Sequence, residues 1–145
     1  MISKIFCDAN ILLDLIDIDR ANLEKSRKLL LIALEQNISL STSCDILSNI
    51  YYVARKKIPK EQLIKEMLRL IDIFEIDEID HHIVRNALTK NLNEVSLDFE
   101  DLLQSECAKV HQCDLIVTND KKFVKENIDV LNTDEAIIML EKQIR

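Results

Sequence analysis

The sequence has no glycine, no tryptophan, one proline (Pro59) and an aromatic content of only 4%. Without glycine, phosphate-cradling loops and dinucleotide-binding fingerprints are excluded, because both need backbone approach that only glycine permits. Turns must rely on Asn, Asp and Ser, which tolerate left-handed backbone better than most residues. The scarcity of rings leaves few platforms for base stacking. Long apolar runs are missing as well. The stretch 29–34 is among the longest and falls far short of a bilayer span, so no membrane association is expected. A signal peptide is not expected either, because the first strand begins almost at once. The four cysteines (Cys7, Cys44, Cys107, Cys113) lack paired metal-ligand spacing and are expected to be reduced core residues. These features together predict a cytoplasmic protein.

An excess of basic residues is also lacking. The net charge is −7, which does not suggest electrostatic attraction to nucleic acid. It does not exclude nucleic acid, because acids that bind metal make the net count misleading.

What is present is enough for a core: 145 residues, 48% of them apolar, predict one domain spanning the chain. Residues 2–8 read as a strand and 10–17 as a short helix. A helix over 21–36 is marked by Leu23, Leu30, Leu31 and Leu34. Strand 38–42 follows, then helix 44–57, capped by Ser43 or Thr42, with Cys44, Leu47, Tyr51 and Ala54 as its apolar face. Asp45, Asn49 and Tyr52 share another face of that helix. A helix over 59–71, a strand over 72–77 and a helix over 79–91 come next. Ser96 is expected to cap helix 97–111, whose core face is Phe99, Leu102, Leu103, Cys107 and Val110. Strand 114–118, a helical piece 121–127, a strand at 129–131 and a final helix capped by Thr133 complete the chain. Strands alternating with helices predict a parallel sheet covered on both faces.

Acidic residues fall where such a sheet places a site. Asp8 ends the first strand, Asp101 and Asp98 open a helix, and Asp120 follows strand 114–118. Each alone also reads as a turn residue, a cap or a partner of the helix dipole. Together they lie at positions that one edge of a parallel sheet brings close. Carboxylates that converge take up protons unless a cation neutralises them, and Mg²⁺ or Mn²⁺ is the hard, oxygen-seeking occupant expected. Asp14, Asp17 and Asp19 read as solvated, His81 and His82 as surface residues, and His111 as a partner of a helix carboxyl end. Lys121 and Lys56 are candidate phosphate contacts.

Phe6-Cys-Asp8-Ala-Asn10-Ile-Leu-Leu-Asp14 resembles the opening of PIN-domain proteins. Asp98-Phe-Glu-Asp101-Leu-Leu-Gln and Ile116-Val-Thr118-Asn-Asp120-Lys-Lys-Phe123 are similar to that family's later acidic motifs, in the same order over about 2–140. The resemblance implies a three-layer α/β/α domain with a parallel sheet of four to five strands. It implies a Mg²⁺- or Mn²⁺-dependent endoribonuclease of the VapC-like kind, the toxin of a type II toxin–antitoxin pair. Partners would be an RNA substrate, an antitoxin protein and a second copy in a homodimer. Carried over by position, Asp8, Asp101 and Asp120 would be the metal ligands, with Asp98 as a further acid. Asn10 and Thr118 would brace the site by hydrogen bonds. The family usually has a Glu on the second long helix, where this chain has Asn49. An amide adds no charge and is a poor base, and Asp45, one turn earlier, is a candidate to replace it. The alternative implied is a catalytically impaired PIN module that binds RNA or a protein partner. A haloacid-dehalogenase-like phosphatase fits poorly, because Asn10 stands where it needs a second Asp.

Overall fold

The computed structural model describes residues 1–143. Five strands form one parallel sheet in the order β3-β2-β1-β4-β5. They are β1 (Lys4–Cys7), β2 (Ser39–Ser43), β3 (Glu75–Asp77), β4 (Leu115–Val117) and β5 (Asp129–Leu131). The helices are α1 (Ala9–Ile16), α2 (Leu23–Glu35), α3 (Cys44–Ala54), α4 (Lys60–Ile73), α5 (His81–Asn93), α6 (Phe99–Val110) and α7 (Thr133–Gln143). Packing divides them into two sets. α1 packs on both α2 and α3, α3 continues to α4 and α7 lies against α2, while α5 packs on α6 and α6 spans β2 and β4. The result is the three-layer α/β/α architecture.

β1 lies at the centre and is buried throughout its apolar length: Ile5, Phe6 and Cys7 are all within the core. The chain first builds outward on one side of β1, through β2 to β3, and then returns to place β4 on the other side. The carboxyl ends of β1 and β4 therefore flank the point where strand order reverses, where open α/β sheets leave a crevice.

The glycine-free chain makes its left-handed turns with other residues, two of them at helix ends. Asn37, Gln112 and Asn127 have φ of 56°, 60° and 58°. After α2, the Ile38 amide donates to the Ala33 carbonyl at 2.8 Å and that of Asn37 to Leu34 at 3.2 Å. After α6, Cys113 donates to Ala108 at 2.9 Å and Gln112 to Lys109 at 3.1 Å. Both are Schellman closures, a motif usually ended by glycine. Ile38 and Cys113, just beyond, are buried and anchor each exit.

Several expectations are corrected. On α2 the buried residues are Ser26, Leu29, Ile32 and Ala33, whereas Leu31 and Leu34 face solvent. On α3 the buried face is Ile46, Ile50 and Ala54, and Cys44 is exposed, unlike the other three cysteines. The helix ends at Ala54, so the basic residues 55–57 follow it rather than close it. Ser43, not Thr42, caps α3. The cap of α6 is Asp98 rather than Ser96, and Val110 is exposed. No helix forms over 121–127. Thr133 lies inside α7. The capping pair is Asn132 and Glu135, each accepting the other's amide N–H, at 2.8 and 2.9 Å. Asp14 is buried, not solvated, and accepts from Arg20 Nε and Ser26 Oγ, each at 2.7 Å. A charge that deep needs such partners.

Gln112 pays a steric cost in the left-handed region that glycine would avoid. Gln112→Gly is expected to stabilise the fold by about 0.5–1 kcal/mol, less than the full left-handed penalty because glycine adds unfolded-state entropy. Urea unfolding checks this, and a lower midpoint would show that the side chain is itself stabilising.

Candidate active site at the carboxyl edge of the sheet

Asp8 sits one residue past β1, with its amide donating to the Val117 carbonyl of β4 at 3.0 Å. Its carboxylate is joined to β4's exit by a single hydroxyl. Thr118 Oγ1 donates to Asp8 Oδ2 at 2.7 Å. The same oxygen accepts from Asn10 Nδ2 at 3.0 Å and from the Asp120 amide at 3.1 Å. One donor and two acceptor positions are thus all used. Asn10 completes the brace, its Oδ1 accepting the Asn119 amide at 3.0 Å. Asn119 Oδ1 in turn accepts from the amide and hydroxyl of Thr133, at 3.1 and 2.9 Å, tying in α7.

Asp101 arrives from the first turn of α6. Asp98 accepts the Asp101 amide at 3.0 Å as the helix cap, and Asp101 Oδ2 accepts the Val124 amide at 3.3 Å. Asp98 is therefore first a cap and second a negative neighbour. Asp8 and Asp101 line a small cavity of about 40 Å³ with Asp45, Asn49, Glu100 and Gln104. Asp120 borders a separate cavity of about 420 Å³, whose wall includes Lys25, Lys121 and Lys125. Lys56 lines neither of these cavities. All the acids expected from the sequence thus come to one edge, with Asp120 across the Thr118 bridge from the others.

The charges press on one another. Burial, with the Asp98, Asp8 and Asp120 carboxylates nearby, pushes Asp101 up to about 6. Burial also raises Asp8, with Asp120 adding to it and the Thr118 hydrogen bond pulling the other way. Elsewhere the buried acids are neutralised: Asp14 by Arg20, Asp77 by Lys4, and Glu106 by Lys90 and Lys109. Among the described residues, none of Asp8, Asp45, Asp98, Glu100, Asp101 and Asp120 has a cationic side chain within ion-pair distance. Nor do any three acidic, thiol or imidazole side chains among them already close around one point tightly enough to hold an ion. The donor set fits a hard cation in atom type and charge: oxygen ligands, mutually repelling, with no cation in ion-pair contact among the described residues. The buried thiols are no competing nucleophiles, since desolvation pushes Cys107 and Cys113 up to about 12 and about 11.

Two lining residues, Glu100 and Gln104, are not among the site residues expected from the sequence. Their signal was periodic: Gln104 lies three residues past Asp101 and four past Glu100, on one helical face.

Comparison with known proteins agrees with the fold. A family model described as PIN domain matches residues 4–122. A protein from Aquifex aeolicus named ribonuclease VapC1 is 34% identical over 133 residues, covering 91% of this chain and 92% of that protein. Among solved structures, VapBC2 of Rickettsia felis, bound to a promoter DNA fragment, superposes with a TM-score of 0.69 at 18% identity, covering 89% and 98% of the two chains. A toxin–antitoxin complex from Klebsiella pneumoniae gives 0.67 at 21% identity, covering 90% and 98%. VapC20 of Mycobacterium tuberculosis, a toxin that cleaves the sarcin–ricin loop, gives 0.67 at 12% identity over 82% and 92%.

Asp101 generates a pH prediction. Between the ordinary carboxylate value and about 6, the folded chain holds a proton on Asp101 that the unfolded chain has released. More protons bound in the native state means that this group's contribution to stability falls as pH rises through the window. In chelator-treated protein, the melting temperature relative to Asp101→Asn should therefore rise on going from about pH 7 to about pH 5. A difference that does not change with pH would remove Asp101 as the strained carboxylate.

Proposed function

The chain belongs to the PIN-domain family, and from that premise we propose that it is a divalent-metal-dependent endoribonuclease hydrolysing RNA phosphodiester bonds. We place it as the toxin of a type II toxin–antitoxin pair. The observation that carries this reading is the uncompensated acidic edge, where Asp8, Asp101 and Asp120 arrive from separate elements without a cation among them. The ribonuclease name of its relative and the toxin–antitoxin complex of similar fold support it.

Asp8, Asp101 and Asp120 are the residues that would hold Mg²⁺ or Mn²⁺. Such an ion supplies Lewis acidity at phosphate oxygens and a more acidic water. The chain's own part is positioning. Thr118 and Asn10 fix the rotamer of Asp8 against its neighbours' repulsion, and Asp98 holds the helix start that carries Asp101. Lys121, beside Asp120 in the larger cavity, is placed to meet substrate phosphate. The whole chain acts as one domain. Its partners in this reading are RNA, an antitoxin and a second copy of itself. Apolar side chains left exposed on α4 (Ile64, Leu68, Ile71) and α5 (Leu88, Leu92) leave room for such contacts. The setting is the cytoplasm. Among the described residues, no helix is long and apolar enough to cross a membrane.

Asn49 favours a second reading. It lines the small cavity with Asp8 and Asp101, yet carries no charge. An impaired module that still binds RNA or a protein partner would keep the scaffold and lose the cut.

Cleavage of several RNAs by partner-free protein with Mn²⁺ separates the readings. The natural protein is expected to cut, with Asp8→Asn slower by at least about a hundredfold, as for loss of one electrostatic contributor to a reacting site. Cutting only by Asn49→Glu would favour the impaired module, and no cutting by either would sink the nuclease.

A further inference from the structure

We propose that Asp45 supplies the fourth carboxylate that position 49 lacks, and that buried Gln104 is its positioning residue. This rests on the ion-binding reading of the acidic edge.

Asp45 and Asn49 lie one turn apart on α3, about 6 Å along its axis, and both face the cavity that holds Asp8 and Asp101. The two are not equivalent in their support. Asp45 Oδ2 accepts from Gln104 Nε2 at 2.8 Å. Gln104 is only 4% exposed, and its Oε1 accepts from Ser43 Oγ at 2.7 Å. Ser43 is fully buried and accepts the Ile46 amide at 3.2 Å as the cap of α3.

That chain of bonds has one direction. Ser43 Oγ uses a lone pair on the Ile46 amide, and its single proton goes to Gln104 Oε1. The carboxamide is thereby oriented, and its NH₂ end must face Asp45. A buried amide with both ends engaged is a rigid support, because leaving either end unpaired in the core is costly.

The support is also neutral. Gln104 fixes Asp45 without cancelling its charge, unlike the lysine and arginine partners of the buried acids elsewhere in the fold. A solvent-exposed acid serves a helix amino end unaided, yet exposed Asp45 is gripped by a buried amide. The geometry instead resembles the outer-layer hydrogen bonds that orient ion ligands. Asn49 then lines the cavity as a spacer, and the fourth acidic wall is displaced by one turn rather than lost.

Mn²⁺ binding to full-length, partner-free protein, followed by calorimetry and by paramagnetic signal, tests this without reference to cleavage. Asp45→Asn is expected to weaken Mn²⁺ binding by about tenfold or more, and Asn49→Ala by less than about threefold. Gln104→Leu should weaken binding in the natural background by at least about threefold and add nothing in an Asp45→Asn background, since coupled residues are non-additive. If Gln104→Leu fails to fold by thermal melting, Gln104→Met carries the same cycle. Equal losses in both backgrounds would overturn the positioning role. An Asp45→Asn protein that binds like the natural one, while Asp8→Asn does not bind, would overturn the inference and leave the ion site standing. No Mn²⁺ binding by the natural protein would overturn both.

Discussion

One hydroxyl fastens the two halves of the fold at the place where they would otherwise part. Thr118 stands past β4 and Asp8 past β1, and strand order reverses between them. Backbone pairing of β1 with β4 ends with the Asp8 amide on the Val117 carbonyl. Beyond that, the Asp8–Thr118 hydrogen bond, backed by Asn10 and the Asp120 amide, sets how far apart the two exits stand. Without it, the mutual repulsion that adds to burial in raising Asp8 and Asp101 would be relieved by the loops swinging apart. A site built from like charges needs a neutral clasp of this kind, because a cationic one would discharge it.

The same logic separates acids that hold the fold from acids that face the crevice. Asp14, Asp77 and Glu106 are each buried and each matched by a cation or by cation and hydroxyl. The crevice acids are matched by amides and hydroxyls only. Burial alone therefore does not mark a functional acid in this protein. The chemistry of its partner does.

Much of this was legible in residue order. β5 falls where the sequence placed it, and Asp8, Asp101 and Asp120 reach one sheet edge because a parallel sheet puts strand ends and following helix starts together. Side-chain roles at helix ends were harder to read. Ser96 and Thr133 are good caps by composition, but Asp98 and Asn132 won those places because each reaches the amide three residues on. Asp14 looks solvated in the sequence because its partners, Arg20 and Ser26, lie across a bend and on the next helix. Leu31 and Leu34 are apolar yet exposed, since a leucine-rich helix has more apolar positions than its buried face can take. Gln104 gives no chemical signal in the sequence, because a glutamine carries no signature until its neighbours are known.

The hydrogen bonds inside the crevice have a consequence for coordination. Asp8, Asp101 and Asp45 each commit Oδ2 to a donor of their own protein, and Asp120 commits Oδ1 to the Lys122 amide. Each carboxylate is thereby held near one rotamer before any ligand meets it, so less side-chain freedom is left to lose on coordination.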